Sequence, residues 1–346
     1  MADLPRLDDS HGKIEEDAPM TQVFAAWSKD PQVLRKSTSG GIFAELATRT
    51  LRRGGVVAGA AYVSGLRVEH RVVLSESELE ALKGVKYLYG EIHRDVYSAL
   101  RDALDGGREV LFSGLPCQCA AMRKLFGFSP KLILVDLVCF GAPSQKLWLK
   151  YVSWLERENG KRVRNIDPRD KQHGWGRKTY YRYDWMDGTT TRKLSLFDPY
   201  AQAFYSGLGF RTCCFNCNFR GLERETDITL GDLWGAEELC PELSRAKVSA
   251  GVSCVLVHTQ NGHAAFNELD IGRKELSAKD VIAKNLPIVE SPSKPVQWEN
   301  FAADSGKMDF GELAEKYRLR IGMMAYVRSR LRMIFSKVRQ RMLGDI

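Results

Sequence analysis

Apolar and polar positions along the chain switch between a helical period and runs of strand character, and the switches predict the elements. Ile42, Phe43, Leu46, Ala47 and Leu51 recur at helical spacing behind Ser39-Gly40-Gly41 and stop at Gly54-Gly55, which predicts a helix with a glycine-rich start and a glycine stop. Residues 56–63 and 68–74 read as strands, 75–82 as a short capped helix, and 94–104 as a longer helix ending at Asp105-Gly106-Gly107. Val110-Leu111-Phe112 is an apolar strand that runs into the turn Ser113-Gly114-Leu115-Pro116-Cys117, with a helix over 120–126. The unit then repeats as a strand at 132–138, a turn at 139–144 and an amphipathic helix at 147–155. Strand, tight glycine turn and helix in succession make an α/β crossover.

Beyond Asn165 the pattern becomes antiparallel. Residues 179–185 and 191–197 face each other across Asp187-Gly188 as a hairpin. A cysteine-bearing loop at 211–221 follows, then strand-like Ile228-Thr229-Leu230, a turn at Gly231-Asp232 and a strand at 252–258. Residues 271–315 show no period that assigns them. The expected fold is α/β with an added antiparallel β portion: a mixed-sheet body carrying a four-cysteine site, plus a C-terminal amphipathic helix. Its expected parts are a mobile lead-in at 1–22, which is acidic and poor in large apolar groups, an N-terminal α/β part at 23–107, a second part at 108–270, and an extension at 271–346.

With 346 residues, 44% hydrophobic and 27% charged, the composition is that of a soluble globular enzyme and excludes disorder, collagen and a disulfide scaffold. The net charge of +8 is local. Residues 316–346 hold nine basic side chains against the single acid Asp345, so the remainder sums to zero. Leu319, Ile321, Met323, Met324, Val327, Leu331, Ile334, Phe335, Val338 and Met342 stand among those cations as one face of an amphipathic helix, a candidate for peripheral contact with the inner face of a membrane or for packing on protein. No nucleic-acid motif accompanies the charge. The start of the chain lacks a signal-peptide pattern and no run of 18 apolar residues occurs, so the expected location is cytoplasmic, where thiols stay reduced.

Four of the eight cysteines stand in turns or at element ends: Cys117, Cys139, and the pair Cys214-Phe215-Asn216-Cys217. Cys-x-x-Cys places two thiolates on one side of a tight turn, and with two strand-end thiols makes the four ligands that either a [4Fe–4S] cluster or a structural zinc requires. Spacing alone does not choose between them. Cys117 also begins a helix, where free N–H groups favour thiolate. Cys119, Cys213, Cys240 and Cys254 read as spares; Cys254 sits in an apolar strand and Cys213 competes with Cys214 as a ligand.

At these motifs the chain resembles the family of coenzyme F420 hydrogenase and formate dehydrogenase β subunits, which also contains 7-hydroxymethyl chlorophyll a reductase. The matching pieces, in order, are Lys36 to Gly41, Gly84-Val85-Lys86-Tyr87, Phe112 to Gln118, Asp136 to Ser144, Arg169-Asp170-Lys171, Arg211 to Cys217, and Asp227 to Gly235. The resemblance implies an oxidoreductase with FAD and one [4Fe–4S] cluster, ligated by Cys117, Cys139, Cys214 and Cys217. It implies a cofactor-binding set of Ser39, Gly40, Gly41, Gly84, Lys86, Tyr87, Ser113, Gly114, Asp232 and Trp234, with the glycine turns letting backbone N–H groups approach a pyrophosphate. Lys86 is placed beside the flavin as a charge that favours its reduced form. His173 is a candidate proton donor.

Electrons are expected from a separate donor such as a ferredoxin or a reductase, because the cysteine-rich ferredoxin segment of several relatives is missing and no cysteine precedes Cys117. They would pass through the cluster to FAD and leave as hydride to a small organic substrate. Relatives of this build resemble those of polysaccharide biosynthesis, which points to a sugar or sugar nucleotide, with F420 in a larger complex as the alternative. Phe140 stands where many relatives have histidine. The contrasting reading is a zinc-stabilised protein without catalysis.

Overall fold

The computed structural model describes residues 21–176 and 179–321. Eleven strands among them form two sheets: β1 (Gln22–Ser28), β2 (Val56–Tyr62), β3 (Val68–Val73), β4 (Val110–Ser113), β5 (Leu132–Leu137), β6 (Val163–Asp170), β7 (Tyr180–Trp185), β8 (Thr190–Leu194), β9 (Ile228–Asp232), β10 (Ser253–Val257) and β11 (Ile271–Leu276). The large sheet has eight strands in the order β11-β1-β10-β9-β5-β4-β2-β3, and the small one has three, β6-β7-β8.

The centre of the large sheet is parallel: β2 with β4, β4 with β5, and β5 with β9. The flanking pairs are antiparallel. β4 and β5 are continuous apolar runs because helices cover both faces of a parallel sheet, and both strands are buried along nearly their whole length. Helices Arg94–Asp105 and Pro116–Phe126 make the crossovers between β2 and β4 and between β4 and β5. Helix Ile42–Arg52 covers the sheet with Ile42, Leu46, Ala47 and Leu51. Strands from both sides of residue 107 therefore share one sheet.

The small sheet follows a period of two, with Tyr181, Tyr183 and Trp185 turned inward. It is seated by a buried knot in which the hydroxyls of Tyr151 and Tyr183 each donate to Asp198 at 2.7 Å. Asp198 also accepts from the Ala201 N–H and so caps helix Pro199–Tyr205. Tyr151 lies on helix Gln145–Asn159, so one carboxylate joins that helix, the small sheet and a third segment.

Several expected boundaries move. The helix expected at 120–126 begins at Pro116, since proline is well suited to a first helical turn. Gly231 and Asp232 continue β9 rather than turn, because they pair with Cys254 and Ser253 of β10. The helix expected over 75–82 is a short 3-10 turn at Glu78–Ala81. The unassigned stretch holds β11 and helices Ala278–Lys284, Trp298–Ser305 and Phe310–Lys316. Most of the lead-in, 1–20, and of the expected amphipathic tail, 322–346, lies outside the described residues. Among the described residues no helix is long and apolar enough to cross a membrane.

Candidate cofactor cleft and cysteine centre

In a parallel sheet the carboxyl ends of the strands, with the turns that follow, form the natural crevice. Here a cleft of about 290 Å³ lies across the ends of β2, β4, β5 and β9, lined by Gly59, Ser113, Gly114, Leu137, Val138, Gly231 and Asp232. Ser39, Gly41, Gly84, Lys86 and Tyr87 line it from the loops. Eight of the ten expected cofactor residues are thus brought to one cleft.

The other two are not. Gly40 is packed beneath the cleft: a Cβ there would sit 2.3 Å from the Ala26 carbonyl oxygen, so glycine is needed for a close backbone approach to β1 and β10. Trp234 stacks on Trp175 behind Asp232, with ring centroids 5.5 Å apart. His173 is exposed, rests on the Tyr180 ring and does not line the cleft.

Gly41, at φ +87°, starts helix Ile42–Arg52, and no side chain caps that start. Ile42, Phe43 and Ala44 line the cleft, and their N–H groups, in the first turn of the helix, have no intrahelical partner. The Ser39 hydroxyl is already committed, donating to the Val252 carbonyl at 2.9 Å.

Lys86 lines the cleft, but its ammonium donates to the carbonyls of Leu82, Lys83 and Gly84 at 3.0, 2.8 and 3.2 Å. These use its three N–H groups. Burial lowers its pKa to about 7, opposed by the charge of Asp167. Lys171 behaves alike, donating to the carbonyls of Leu34, Ser39 and Ala250, with burial again lowering its pKa to about 7.

Three buried polar atoms in this region have no hydrogen-bond partner among the described residues, and local pattern does not mark them as site groups. His70 is 3% exposed, and its Nε2 has no hydrogen-bond partner among the described residues. Its ring lies flat on Phe112, and burial holds its pKa down at about 4 against the pull of the Glu91 and Ser113 carbonyls, so the imidazole is neutral. The clue in sequence is that His70 shares a strand face with Val68. Arg169, from β6, is 9% exposed; its Nη1 donates to Asp232 at 2.9 Å while Nη2 is unpartnered. Tyr62 Oη is unpartnered as well.

Beside the cleft, and sharing Ser37, Lys83, Gly84, Lys86 and Arg169 with it, opens a second cavity of about 910 Å³. Its lining carries the cations Arg35, Lys36, Lys83, Lys86, Arg164, Arg169, Lys171 and Arg182 against Glu80, Asp167 and Asp170. Net positive lining concentrates anions.

The cysteines gather on the other side of the same turns. Cys117 follows Gly114 by three residues and Cys139 follows Val138 directly, while Cys214 and Cys217 come from the 3-10 turn Thr212–Asn216 and the residue after it. Burial raises the Cys117 thiol to about 11, and the charges of Cys217 and Cys214 add to this while Arg211 opposes it. Burial raises Cys139 to about 12, with Cys214, Cys117 and Cys217 adding and Arg220 opposing. The four sulfurs thus sense one another, and two arginines stand where they would neutralise thiolates. Cys213 is exposed beside Cys214. Cys119, Cys240 and Cys254 are buried in apolar clusters.

Zinc–sulfur bonds of about 2.3 Å would bring tetrahedral sulfurs to roughly 3.8 Å of one another. Among the described residues no three cysteine sulfurs lie within 4.8 Å. The spacing is more open than a zinc tetrahedron.

The family model for the C terminus of the coenzyme F420 hydrogenase/dehydrogenase beta subunit matches residues 107–282, and the one for its N-terminal part matches residues 23–94. The chain belongs to the coenzyme F420 hydrogenase/dehydrogenase beta subunit family. It is thereby of an oxidoreductase type concerned with electron transfer. A chain of the F420-reducing [NiFe] hydrogenase complex from Methanosarcina barkeri is similar at 18% identity and a TM-score of 0.49, over 77% of this beta-subunit-family chain and 89% of that one. No curated protein matches.

Proposed function

We propose that this chain is an oxidoreductase that holds one [4Fe–4S] cluster on Cys117, Cys139, Cys214 and Cys217 and FAD in and beyond the cleft, and reduces or oxidises an anionic organic substrate. The observation that carries the reading is adjacency: Gly114 and Val138 line the cleft while Cys117 and Cys139 stand three residues and one residue further along the same turns. Rings continue the connection, with Tyr87 in the cleft 4.4 Å from Phe204, and Phe204 6.1 Å from Phe140 beside Cys139.

A cluster supplies one-electron steps and a flavin converts them to two-electron chemistry. The chain's own residues do the rest. The uncapped helix start behind Gly41 offers N–H donors to phosphate. Leu82, Leu115 and Leu230 wall the cleft with apolar surface, which suits a flat ring. At about 290 Å³ the cleft has room for a ring system and not for a whole dinucleotide, and the residues of the basic cavity would hold the remainder. Arg35 and Arg164 at that cavity have no ion-pair partner among the described residues and are the free cations for a substrate phosphate or carboxylate.

The family description favours coenzyme F420 as the first compound to assay, followed by sugar nucleotides. The test is anaerobic mixing of flavin-loaded protein with a reduced one-electron donor. Wild type is expected to bleach its flavin rapidly and Cys139→Ala slowly or not at all; equal rates would remove the cysteine centre from the route.

A further inference from the structure

Arg169 sits where the two hollows meet, lining both. Its guanidinium is fixed on three sides. Nη1 donates to Asp232 at 2.9 Å and to the Tyr87 hydroxyl at 3.4 Å, and the group lies 5.6 Å over the Trp234 ring. Asp232 is itself held by the Trp175 indole N–H at 2.9 Å. The Arg169 side chain is 7% exposed, yet Nη2 has no partner among the described residues. A buried donor left unsatisfied is costly, so a bound group that accepts from it is favoured over one that cannot.

What accepts matters. A phosphate is best met by both arms of a guanidinium. Here Nη1 is taken up by Asp232 and Tyr87, and Asp232 offsets the charge, so Nη2 with its two N–H groups is the arm left to donate. One arm suits a carbonyl or ring nitrogen rather than the paired oxygens of a phosphate. Lys86, the other cation at the cleft, has its N–H groups on backbone carbonyls.

We propose that Arg169 is the residue that tunes the bound flavin's redox balance, its free Nη2–H meeting the edge of the ring where negative charge gathers on reduction. Asp232 is the counterweight: it orients Arg169 and tempers its charge. The inference rests on the flavin reading above and goes beyond it by naming the potential-setting pair.

The experiment is the midpoint potential of the flavin in purified holoprotein for wild type, Arg169→Gln and Asp232→Asn, with flavin occupancy taken from absorbance and folding from circular dichroism. Arg169→Gln is expected to shift the oxidised-to-reduced equilibrium at least tenfold toward oxidised, about 30 mV more negative for a two-electron couple. Asp232→Asn leaves Arg169 in place and removes its counter-charge, so the potential is expected to rise. A purely structural pair would move both variants the same way, which overturns the proposal, as does an unchanged potential in flavin-loaded Arg169→Gln. If Arg169→Gln does not fold, the sign of the Asp232→Asn shift decides. Wild type that binds no flavin under any loading condition overturns the parent reading itself, a separate outcome.

Discussion

Arg224 donates to Asp136 at 3.0 Å in a pair whose side chains are 3% and 1% exposed, and this joins the loop after Cys217 to the strand that delivers Cys139. Arg224 also donates to the carbonyls of Gly221 and Ile288, while Asp136 accepts from the Thr229 hydroxyl. Removing one partner of a buried pair leaves the other charge uncompensated, at about 3–5 kcal/mol. Arg224→Ala is therefore expected to lower the denaturant midpoint and, because the two cysteine segments lose their tie, to lower bound iron as well. Full iron retention with unchanged stability would contradict that tie.

Cys214→Ala is expected to lose iron, while Cys213→Ala and Cys240→Ala keep it. Cys240 packs among Leu233, Ala236 and Val248, so its loss costs packing only, about 1–3 kcal/mol. Iron analysis of the three variants checks this, and iron loss in Cys213→Ala with retention in Cys214→Ala would reassign the ligand.

Gly40→Ala is expected to destabilise by about 3 kcal/mol, since its Cβ would fall 2.3 Å from the Ala26 carbonyl oxygen and 2.6 Å from the Ser253 nitrogen, both backbone atoms. Gly54→Ala meets nothing within 4 Å and bears only the left-handed φ of +74°, about 1 kcal/mol. Thermal denaturation of both separates contact from conformation.

His258 is buried, with Nε2 on the Thr229 hydroxyl at 2.8 Å, and burial followed by the charge of Arg224 lowers its pKa to about 3. The unfolded imidazole titrates near 6.5. Below that the unfolded state binds a proton that the folded state refuses, so this stability is full above about pH 6.5 and falls as pH drops toward the folded value, by about 1.4 kcal/mol per unit. Urea midpoints in mildly acidic buffers are expected to fall less steeply in His258→Gln than in wild type; identical slopes would contradict this.

Much of the parallel centre is legible because β4 and β5 are unbroken apolar runs and their glycine turns punctuate them. β6 is hidden: Val-Arg-Asn-Ile-Asp-Pro-Arg-Asp contains a proline and few apolar residues, and it becomes a strand only by pairing with β7, with bulges. β11, Ile-Gly-Arg-Lys-Glu-Leu, is polar because it is an edge paired on one side. In the site, turn glycines and cysteines can be read from local pattern. The burial of Arg169 and His70 is a tertiary property, and so is the diversion of Lys86 onto carbonyls, which no spacing reveals.

The most direct test of the account is the cofactor content of the wild-type chain purified without oxygen. Analysis of iron, acid-labile sulfide, zinc and flavin per chain is expected to give about four irons with matching sulfide and about one flavin. One zinc, no sulfide and no flavin would contradict it.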